Sequence, residues 1–130
     1  MVNCWLIVNI AHSFNPDLRN YADAQEFCGN AAMNGFTTGR LFEPHTKCFN
    51  GKVYDESLVV FGEKKHAWIG INAKGGPWVY TSSGTQLEFE NWLPGQPNDG
   101  AHGCVYWYDQ TGKWYDYNCN HNCHFICEFV

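Results

Sequence analysis

Seven cysteines in 130 residues constrain this chain more than any other feature. That density favours secretion into an oxidising compartment, where disulfides persist. A metal site is the alternative, since Cys119, Cys123 and Cys127 recur every fourth residue beside His121 and His124. Zinc sites usually have two short Cys or His pairs separated by about a dozen residues or more. This triplet runs instead into an alternating segment typical of a strand, so we predict disulfides.

Length and charge exclude several classes of protein. The 130 residues suffice for a single domain, which we expect to span residues 1–130. A net charge of −5 argues against nucleic-acid binding, which needs a clustered basic surface. No apolar run approaches the ~20 residues that span a bilayer, so we predict no membrane span. Residues 1–10 lack the features of a signal peptide, and we expect a mature form.

Sequence patterns predict helices early in the chain and strands late. Asn20 is a potential cap for a first helix, whose apolar stripe is Ala24, Phe27, Cys28 and Ala31. A second helix is predicted from near residue 55 to near residue 65, after a loop. Predicted strands cover residues 4–8, 68–71, 78–80, 104–109, 113–116 and 125–129. The long loop from 88 to 103 is of a kind that usually carries function, and the fold class is α+β.

Five segments, taken together, carry a family resemblance. They are Asn20–Cys28, Trp68–Ile71, Phe89–Trp92 followed by Gly95–Asn98, Gly112–Asp116, and Phe125–Glu128. In this order they resemble the C-type lectin domain, over about residues 5–130. The resemblance implies two helices flanking small antiparallel sheets, a long loop region and disulfide staples. It also implies a free-standing single-domain lectin of the invertebrate type.

The resemblance implies a pairing for four of the cysteines. Cys28 would bond to Cys127, and Cys104 to Cys119. Longer members of the family close a small N-terminal hairpin with two cysteines, but here no cysteine follows shortly after Cys4. We therefore expect Cys48 to pair with Cys123, and Cys4 to bridge two chains of a homodimer. Another intrachain pairing or a free thiol are the alternatives for Cys4.

The resemblance also implies where a sugar would bind. In the family, a calcium ion held by oxygen ligands coordinates vicinal sugar hydroxyls, and one ligand triplet corresponds to Gln96-Pro97-Asn98, with a cis bond at Pro97. Gln in the first position resembles the galactose type, and Asn in the third resembles the mannose type. Because Asn98 is of the mannose type, we favour mannose over galactose.

Two family ligands are replaced in this sequence. His102 stands where the family has Glu, and Tyr115 where it has Asn. Only Gln96, Asn98 and Asp116 keep a suitable oxygen donor, and one carboxylate compensates little of a divalent charge. We therefore expect weak or absent calcium binding, with no cofactor required. A calcium-dependent lectin that uses Asp99 as a substitute ligand is the closest alternative.

Without calcium, the loop still carries polar groups suited to sugar hydroxyls. The candidate sugar-binding residues are Gln96, Asn98, Asp99, His102, Tyr115 and Asp116. An N-acetylhexosamine is a further candidate ligand, because His102 and Tyr115 could hold its acetamido group. Alternatively, these two side chains fill a collapsed cage, and the domain binds a protein. Ice binding would need a flat surface of small polar residues, which the bulky loop does not offer.

Catalytic motifs are missing. None of the serines lies in a Gly-x-Ser-x-Gly turn, and the sequence has neither a phosphate-binding Gly-rich loop nor a His-Glu-x-x-His segment. We predict a binding protein rather than an enzyme. The resemblance implies microbial recognition in innate immunity, with dimerisation raising avidity on repetitive surfaces.

Overall fold

The computed structural model describes residues 10–31, 33–62, 65–73, 76–98, 103–107 and 112–130. Within these ranges the chain forms two helices and seven strands. Their order is β1 (Ala11–Arg19), α1 (Tyr21–Asn30), β2 (Gly39–Leu41), α2 (Lys47–Phe61), β3 (Ala67–Asn72), β4 (Val79–Tyr80), β5 (Gly103–Trp107), β6 (Trp114–Asn118) and β7 (Cys123–Phe129). This confirms the predicted α+β class.

The first helix begins where the sequence predicts. The Asn20 side chain accepts a hydrogen bond from the Asp23 backbone N–H at 2.9 Å, which satisfies one of the free donors of the first turn. Ala24 and Cys28 are buried, as the apolar stripe requires. The Tyr21 hydroxyl donates to the Ile69 carbonyl at 2.9 Å and so fixes the helix against β3.

The second helix begins at Lys47, about two turns before the predicted start, so that prediction is wrong in its boundary. Thr46 caps it, because its side-chain oxygen accepts the Phe49 N–H at 3.0 Å. Gly62 ends it with a φ of 75°, the left-handed conformation that glycine adopts without a steric penalty. The helix therefore has a sequence signal at each end, a capping Thr at the N-terminus and a Gly at the C-terminus.

The strands form one sheet in the order β1-β7-β3-β5-β6, with β2 paired to β7 and β4 paired to β3. β7 runs parallel to β3 and antiparallel to β1. The sequence did not predict β1. This strand contains Pro16-Asp17, a pair typical of turns, and its register against β7 shifts there, between Asn15 and Arg19. The predicted strand at 4–8 lies outside the described residues.

Each helix covers one face of the sheet. α2 contributes Phe49, Val53 and Tyr54 to a cluster that contains Val105 and Trp107 of β5. α1 contributes Tyr21, Ala24 and Cys28 to a second cluster. This cluster also contains Tyr106, which lies between Val105 and Trp107 in β5 and so points to the opposite face of the sheet. Every residue of β3 and of β5 is buried as a result.

Two of the three expected intrachain disulfides are confirmed. Cys28 bonds to Cys127 and ties α1 to β7, and Cys104 bonds to Cys119 and ties β5 to the end of β6. The expected bond between Cys48 and Cys123 is wrong. Cys123 is a buried free thiol, and Cys48 is in a disulfide with another partner.

Geometry explains the error. Cys123 belongs to the cluster on the α1 side of the sheet, whereas Cys48 lies in the first turn of α2, which packs on the other side. A disulfide needs Cα atoms within about 7 Å of each other, which a sheet between the two thiols prevents. Cys4, the expected interchain cysteine, lies outside the described residues.

Candidate functional site

The Gln96-Pro97-Asn98 segment, which resembles the ligand triplet of C-type lectins, forms a tight turn in the long loop. The peptide bond between Gln96 and Pro97 is cis, as the resemblance implies. Gly95 precedes it with a φ of 88°, and the Gln96 N–H closes the turn by donating to the Leu93 carbonyl at 2.9 Å. Pro97 and Asn98 are exposed, while Gln96 is partly buried. The turn thus presents Asn98 to solvent and Gln96 towards the protein.

Backbone hydrogen bonds hold the base of this loop against β6. The Trp114 N–H donates to the Asn91 carbonyl at 2.8 Å, and the Leu93 N–H donates to the Trp114 carbonyl at 2.9 Å. Trp92 and Trp114 form a parallel bridge, and their rings meet edge to face at 5.6 Å. The loop therefore extends the edge of the sheet before it turns, which gives the site a rigid base.

Asp116 lies directly under the turn. Its side chain is 1% exposed, and its Oδ1 atom accepts the Asn98 backbone N–H at 3.1 Å. A buried carboxylate needs such donors to compensate its charge. Asp116 and Asn98, two of the predicted site residues, are thus brought together, and the carboxylate fixes the position of the turn.

Gln96 supplies a polar atom that lacks a partner. Its Oε1 atom is shielded from solvent and accepts no hydrogen bond in the described structure. A buried acceptor left unsatisfied costs about 1–3 kcal/mol, so this atom favours the arrival of a donor or a cation. It lies next to the cis bond, in the segment that the sequence predicts to bind a ligand.

Tyr115 does not join these residues. It follows Trp114 in β6, and neighbouring side chains in a strand point to opposite faces. Its ring packs against Tyr106 at 5.5 Å and Tyr117 at 6.3 Å, on the face away from Asp116. The other two predicted site residues, Asp99 and His102, lie outside the described residues.

Comparison with known proteins identifies the family. Residues 17–129 match the family model of the Lectin C-type domain. The chain belongs to the C-type lectin domain family. Collectin-43 of Bos taurus is 31% identical over 119 residues, which cover 86% of this chain and 34% of that protein. Salivary C-type lectin 2 of Aedes albopictus is 38% identical over 74 residues, covering 50% of this chain and 49% of that protein.

This C-type lectin domain thus spans about a third to a half of the length of these curated relatives. Among solved structures, the C-type lectin CEL-I from Cucumaria echinata superposes with a TM-score of 0.83 at 18% identity, covering 95% of this chain and 92% of that one. Human lithostathine superposes with a TM-score of 0.81 at 26% identity, covering 95% and 85%. These superpositions confirm the predicted fold.

The described residues of the domain supply few of the oxygen ligands that a calcium ion needs. Calcium affinity rises with the number of ligating carboxylates, and Asp116 is the one carboxylate at the described part of the site. Its Oδ1 already accepts the Asn98 N–H. Across the described ranges, no three His, Cys, Asp or Glu side chains are arranged to hold a metal ion. We therefore derive no role for calcium from these residues.

A buried acid–base cluster was not predicted from the sequence. Glu128 of β7, 1% exposed, accepts from Arg40 Nε at 2.9 Å, and its other oxygen lies 3.1 Å from His12 Nε2. Glu43, 2% exposed, accepts the Ser82 N–H at 2.8 Å. The cluster therefore joins β1, β2 and β7 through groups far apart in sequence.

His45 connects this cluster to the long loop. Its Nε2 lies 3.7 Å from Glu43 and its Nδ1 lies 3.3 Å from Glu88, where the loop begins. The neighbouring Glu43 carboxylate raises the pKa of His45 above its ordinary value, against the opposing effect of burial. Burial alone would raise the pKa of Glu43, but the adjacent His45, the hydrogen bond from Ser82 and the charge of Arg40 lower it. A sequence signal for this cluster was the single glutamate among the apolar residues of the predicted strand 125–129.

Proposed function

We propose that this C-type lectin domain binds carbohydrate at the turn formed by Gln96, Pro97 and Asn98, with little or no dependence on calcium. The observation that carries the proposal is the unsatisfied, buried Oε1 atom of Gln96. A sugar hydroxyl is a donor that satisfies it once the partly exposed Gln96 side chain turns this atom to the surface. The family consists of binding domains, which supports a binder rather than an enzyme.

Each described residue has a distinct role in this proposal. Gln96 accepts a hydrogen bond from a sugar hydroxyl, and the exposed amide of Asn98 both donates and accepts. Asp116 is a positioning residue, because its carboxylate holds the Asn98 backbone from below. Asp99 and His102 follow the turn in sequence and are proposed as further sugar contacts. Tyr115 faces the other side of β6, so the acetamido role expected for it is not part of the proposal.

The ligand class is proposed as glycans, with mannose favoured on account of Asn98. A glycan array probed once with millimolar calcium and once with EDTA tests this directly. Equal binding of mannose-type glycans under both conditions is the expected result. Loss of binding in EDTA would refute calcium independence and indicate Asp99 as a substitute ligand. A preference for galactose or N-acetylhexosamine would refute the mannose assignment, and no binding in either condition would refute sugar recognition at this turn.

A matched pair of variants tests the role of Gln96. Gln96→Leu removes the unpaired acceptor, and Gln86→Leu makes the same change at an exposed position outside the turn. We expect Gln96→Leu to weaken sugar binding by about 0.5–1.5 kcal/mol, or about two- to tenfold, without loss of thermal stability. Gln86→Leu should leave binding unchanged. Equal effects of the two substitutions would contradict the assignment of Gln96.

Secretion and dimerisation are part of the same proposal. Disulfides are typical of extracellular proteins, and this chain has the Cys28–Cys127 and Cys104–Cys119 bonds as well as a disulfide at Cys48. Within the described ranges, no helix is long and apolar enough to cross a bilayer. A homodimer would raise avidity on a repetitive microbial surface. Because Cys48 already has a disulfide partner, Cys123 is a free thiol and the other four described cysteines pair with one another, we do not propose Cys4 as the link between chains. Size-exclusion chromatography with light scattering should show a dimer, and a monomer would refute this part of the proposal.

A further inference from the structure

A shallow cavity lies on the surface away from the Gln96-Pro97-Asn98 turn. It has a volume of about 310 Å³ and is lined by Leu18, Lys65, His66, His121, Asn122 and His124, with Cys123 at its base. We call it the histidine depression. Its walls come from the end of β1, the residues before β3 and the turn before β7, and none of them belongs to the loop that carries Gln96 and Asn98.

The histidine depression concentrates basic groups in an acidic protein. The chain has six histidines, and His66, His121 and His124 all line this one cavity together with Lys65. No Asp or Glu is among the described residues that line it. The chain as a whole has 8 Lys and Arg against 13 Asp and Glu. The histidine depression therefore differs from the rest of the protein in having basic but no acidic side chains among its described lining residues.

Aromatic rings hold two of the imidazoles in place. The His66 ring stacks on Tyr106 at 4.7 Å, and Tyr106 stacks on Tyr117 at 5.5 Å. The His121 ring meets Tyr117 edge to face at 5.0 Å. A continuous row of four rings therefore runs behind the cavity and positions His66 and His121 at its ends. Positioning side chains before a ligand arrives lowers the entropy lost on binding.

The third imidazole is oriented by a backbone hydrogen bond. His124 Nδ1 lies 2.8 Å from the Pro16 carbonyl oxygen. Since a carbonyl only accepts, Nδ1 carries a proton, and Nε2 is the atom that gains one when the ring becomes charged. The ring that this hydrogen bond orients is one of the residues that line the histidine depression.

We propose that the histidine depression binds an acidic saccharide, one bearing a sulfate or carboxylate group, and binds it more tightly as the pH falls from 7.5 to 5.5. Imidazole is the side chain whose ordinary charge change falls in this range. Lys65 supplies a charge that persists at both pH values, the Asn122 amide suits a sugar hydroxyl, and Leu18, 60% exposed, suits the apolar face of a sugar ring. The volume is near the lower end for small-molecule sites, which suits a mono- or disaccharide.

Among the described residues, four further titratable groups lie close to the histidine depression, namely Asp17, Cys123, Tyr106 and Tyr117. Asp17, next to Leu18 on β1, is 3.7 Å from the guanidinium of Arg19, which compensates its carboxylate. Burial raises the pKa of the Cys123 thiol to about 12, so it stays neutral. On the side of β5 and β6, the groups that contact His66 and His121 are the rings of Tyr106 and Tyr117. On the side of α2, the ring of Phe61 packs against His124.

The test compares galactose-6-sulfate and glucuronic acid with neutral galactose, by NMR titration of the full chain at pH 5.5 and 7.5. We expect both acidic sugars to shift the imidazole signals of His66, His121 and His124, with affinity about tenfold higher at pH 5.5. Equal affinity for galactose, or signals that do not shift, would overturn the proposal. Inorganic sulfate binding as tightly as the sulfated sugar would overturn the saccharide assignment.

Variants separate this site from the loop. Lys65→Gln should weaken acidic-sugar binding about two- to fivefold, since one partly exposed charge contact contributes about that much. Lys47→Gln, the same change at an exposed position on α2, is the matched control and should not. Gln96→Leu should leave acidic-sugar binding intact whatever its effect on neutral glycans. Loss of acidic-sugar binding in Gln96→Leu, but not in Lys65→Gln, would overturn the assignment to the histidine depression.

Discussion

Replacing Glu128 by Gln tests whether the buried acid–base cluster stabilises the fold. The carboxylate is 1% exposed and contacts Arg40 Nε at 2.9 Å and His12 Nε2 at 3.1 Å. It also lies 3.4 Å from the Glu43 N–H. Gln keeps the shape of the side chain and one carbonyl oxygen, but it removes the negative charge. The guanidinium of Arg40 is then left with Glu43, 3.8 Å away, as the remaining carboxylate within the cluster.

The magnitude follows from burial. Removing one partner of a buried ion pair costs about 3–5 kcal/mol, and the retained carbonyl reduces this to about 2–4 kcal/mol. For a chain of this size, 1 kcal/mol corresponds to about 4 °C in the melting temperature. Glu128→Gln should therefore lower the melting temperature by about 8–16 °C.

The control is an ion pair of the same length on the surface. Lys52 and Glu56 lie 3.0 Å apart on α2, with side chains 29% and 42% exposed. Glu56→Gln makes the identical chemical change there and should cost about 0.3–0.5 kcal/mol, or about 1–2 °C. Thermal denaturation of both variants, followed by circular dichroism at pH 7, gives the comparison. Similar losses of melting temperature in the two variants would refute the argument that burial makes the Glu128 cluster strong.

Three further predictions concern pH and the cysteines. The raised pKa of His45 means that its contribution to stability is complete below its ordinary value of 6.5 and is lost as the pH rises through the folded-state value. The lowered pKa of Glu43 has the opposite effect: its contribution to stability is complete above its ordinary value of 4.5 and is lost as the pH falls through its folded-state pKa. The free energy of unfolding, measured against pH, should therefore decrease at both the acidic and the alkaline end. His45→Gln should make the alkaline decrease smaller. Burial raises the pKa of Cys123 to about 12, so a thiol reagent at pH 8 should label it only after denaturation, and labelling of the native protein would contradict its burial. A disulfide that closes a longer loop stabilises more, because it removes more entropy from the unfolded chain. Replacing both cysteines of the Cys28–Cys127 pair, 99 residues apart, should lower the free energy of unfolding in urea by about 4–5 kcal/mol, against about 3 kcal/mol for the Cys104–Cys119 pair, 15 residues apart. The opposite order would contradict this argument.

Local patterns predicted the elements whose stabilisation is local. α1 was predicted because its cap and its apolar stripe are both visible within a dozen residues of sequence. The start of α2 was missed because Asn50 and Gly51 are typical of loops. In the structure, Asn50 is held in the helix by distant partners, since its amide donates to the Gly112 carbonyl at 3.2 Å and its oxygen accepts from Trp114 Nε1 at 3.1 Å.

Pairings between distant segments were not predictable in the same way. β1 contains Pro16-Asp17, which indicates a turn when the sequence is considered alone. The strand forms because Ala11 to Asn15 pair with β7 at the other end of the chain, and the register shift after Asn15 accommodates the proline. The incorrect Cys48–Cys123 pairing has the same origin, because the sequence does not show which face of the sheet each cysteine occupies.

The candidate sugar site combines both kinds of information. Family motifs located Gln96, Asn98 and Asp116, but they could not show that Tyr115 packs with Tyr106 on the opposite face. The structure shows that the loop is held at several points by the protein itself. The Asn91 side chain donates to the Gly112 carbonyl at 3.2 Å, and the Glu88 N–H donates to the Tyr80 hydroxyl at 3.1 Å.

These contacts bear on the proposed independence from calcium. Where a cation organises a loop, its removal releases the ligands from one another. Here the Asn98 backbone is held to Asp116 by a direct hydrogen bond of 3.1 Å, and the segment before it is bonded to β6. Because protein groups already position the backbone of residues 95–98, we expect a sugar bound there to lose little entropy in ordering these residues. The direct bond to Asp116 therefore supports a turn that keeps its shape, and its sugar affinity, in EDTA.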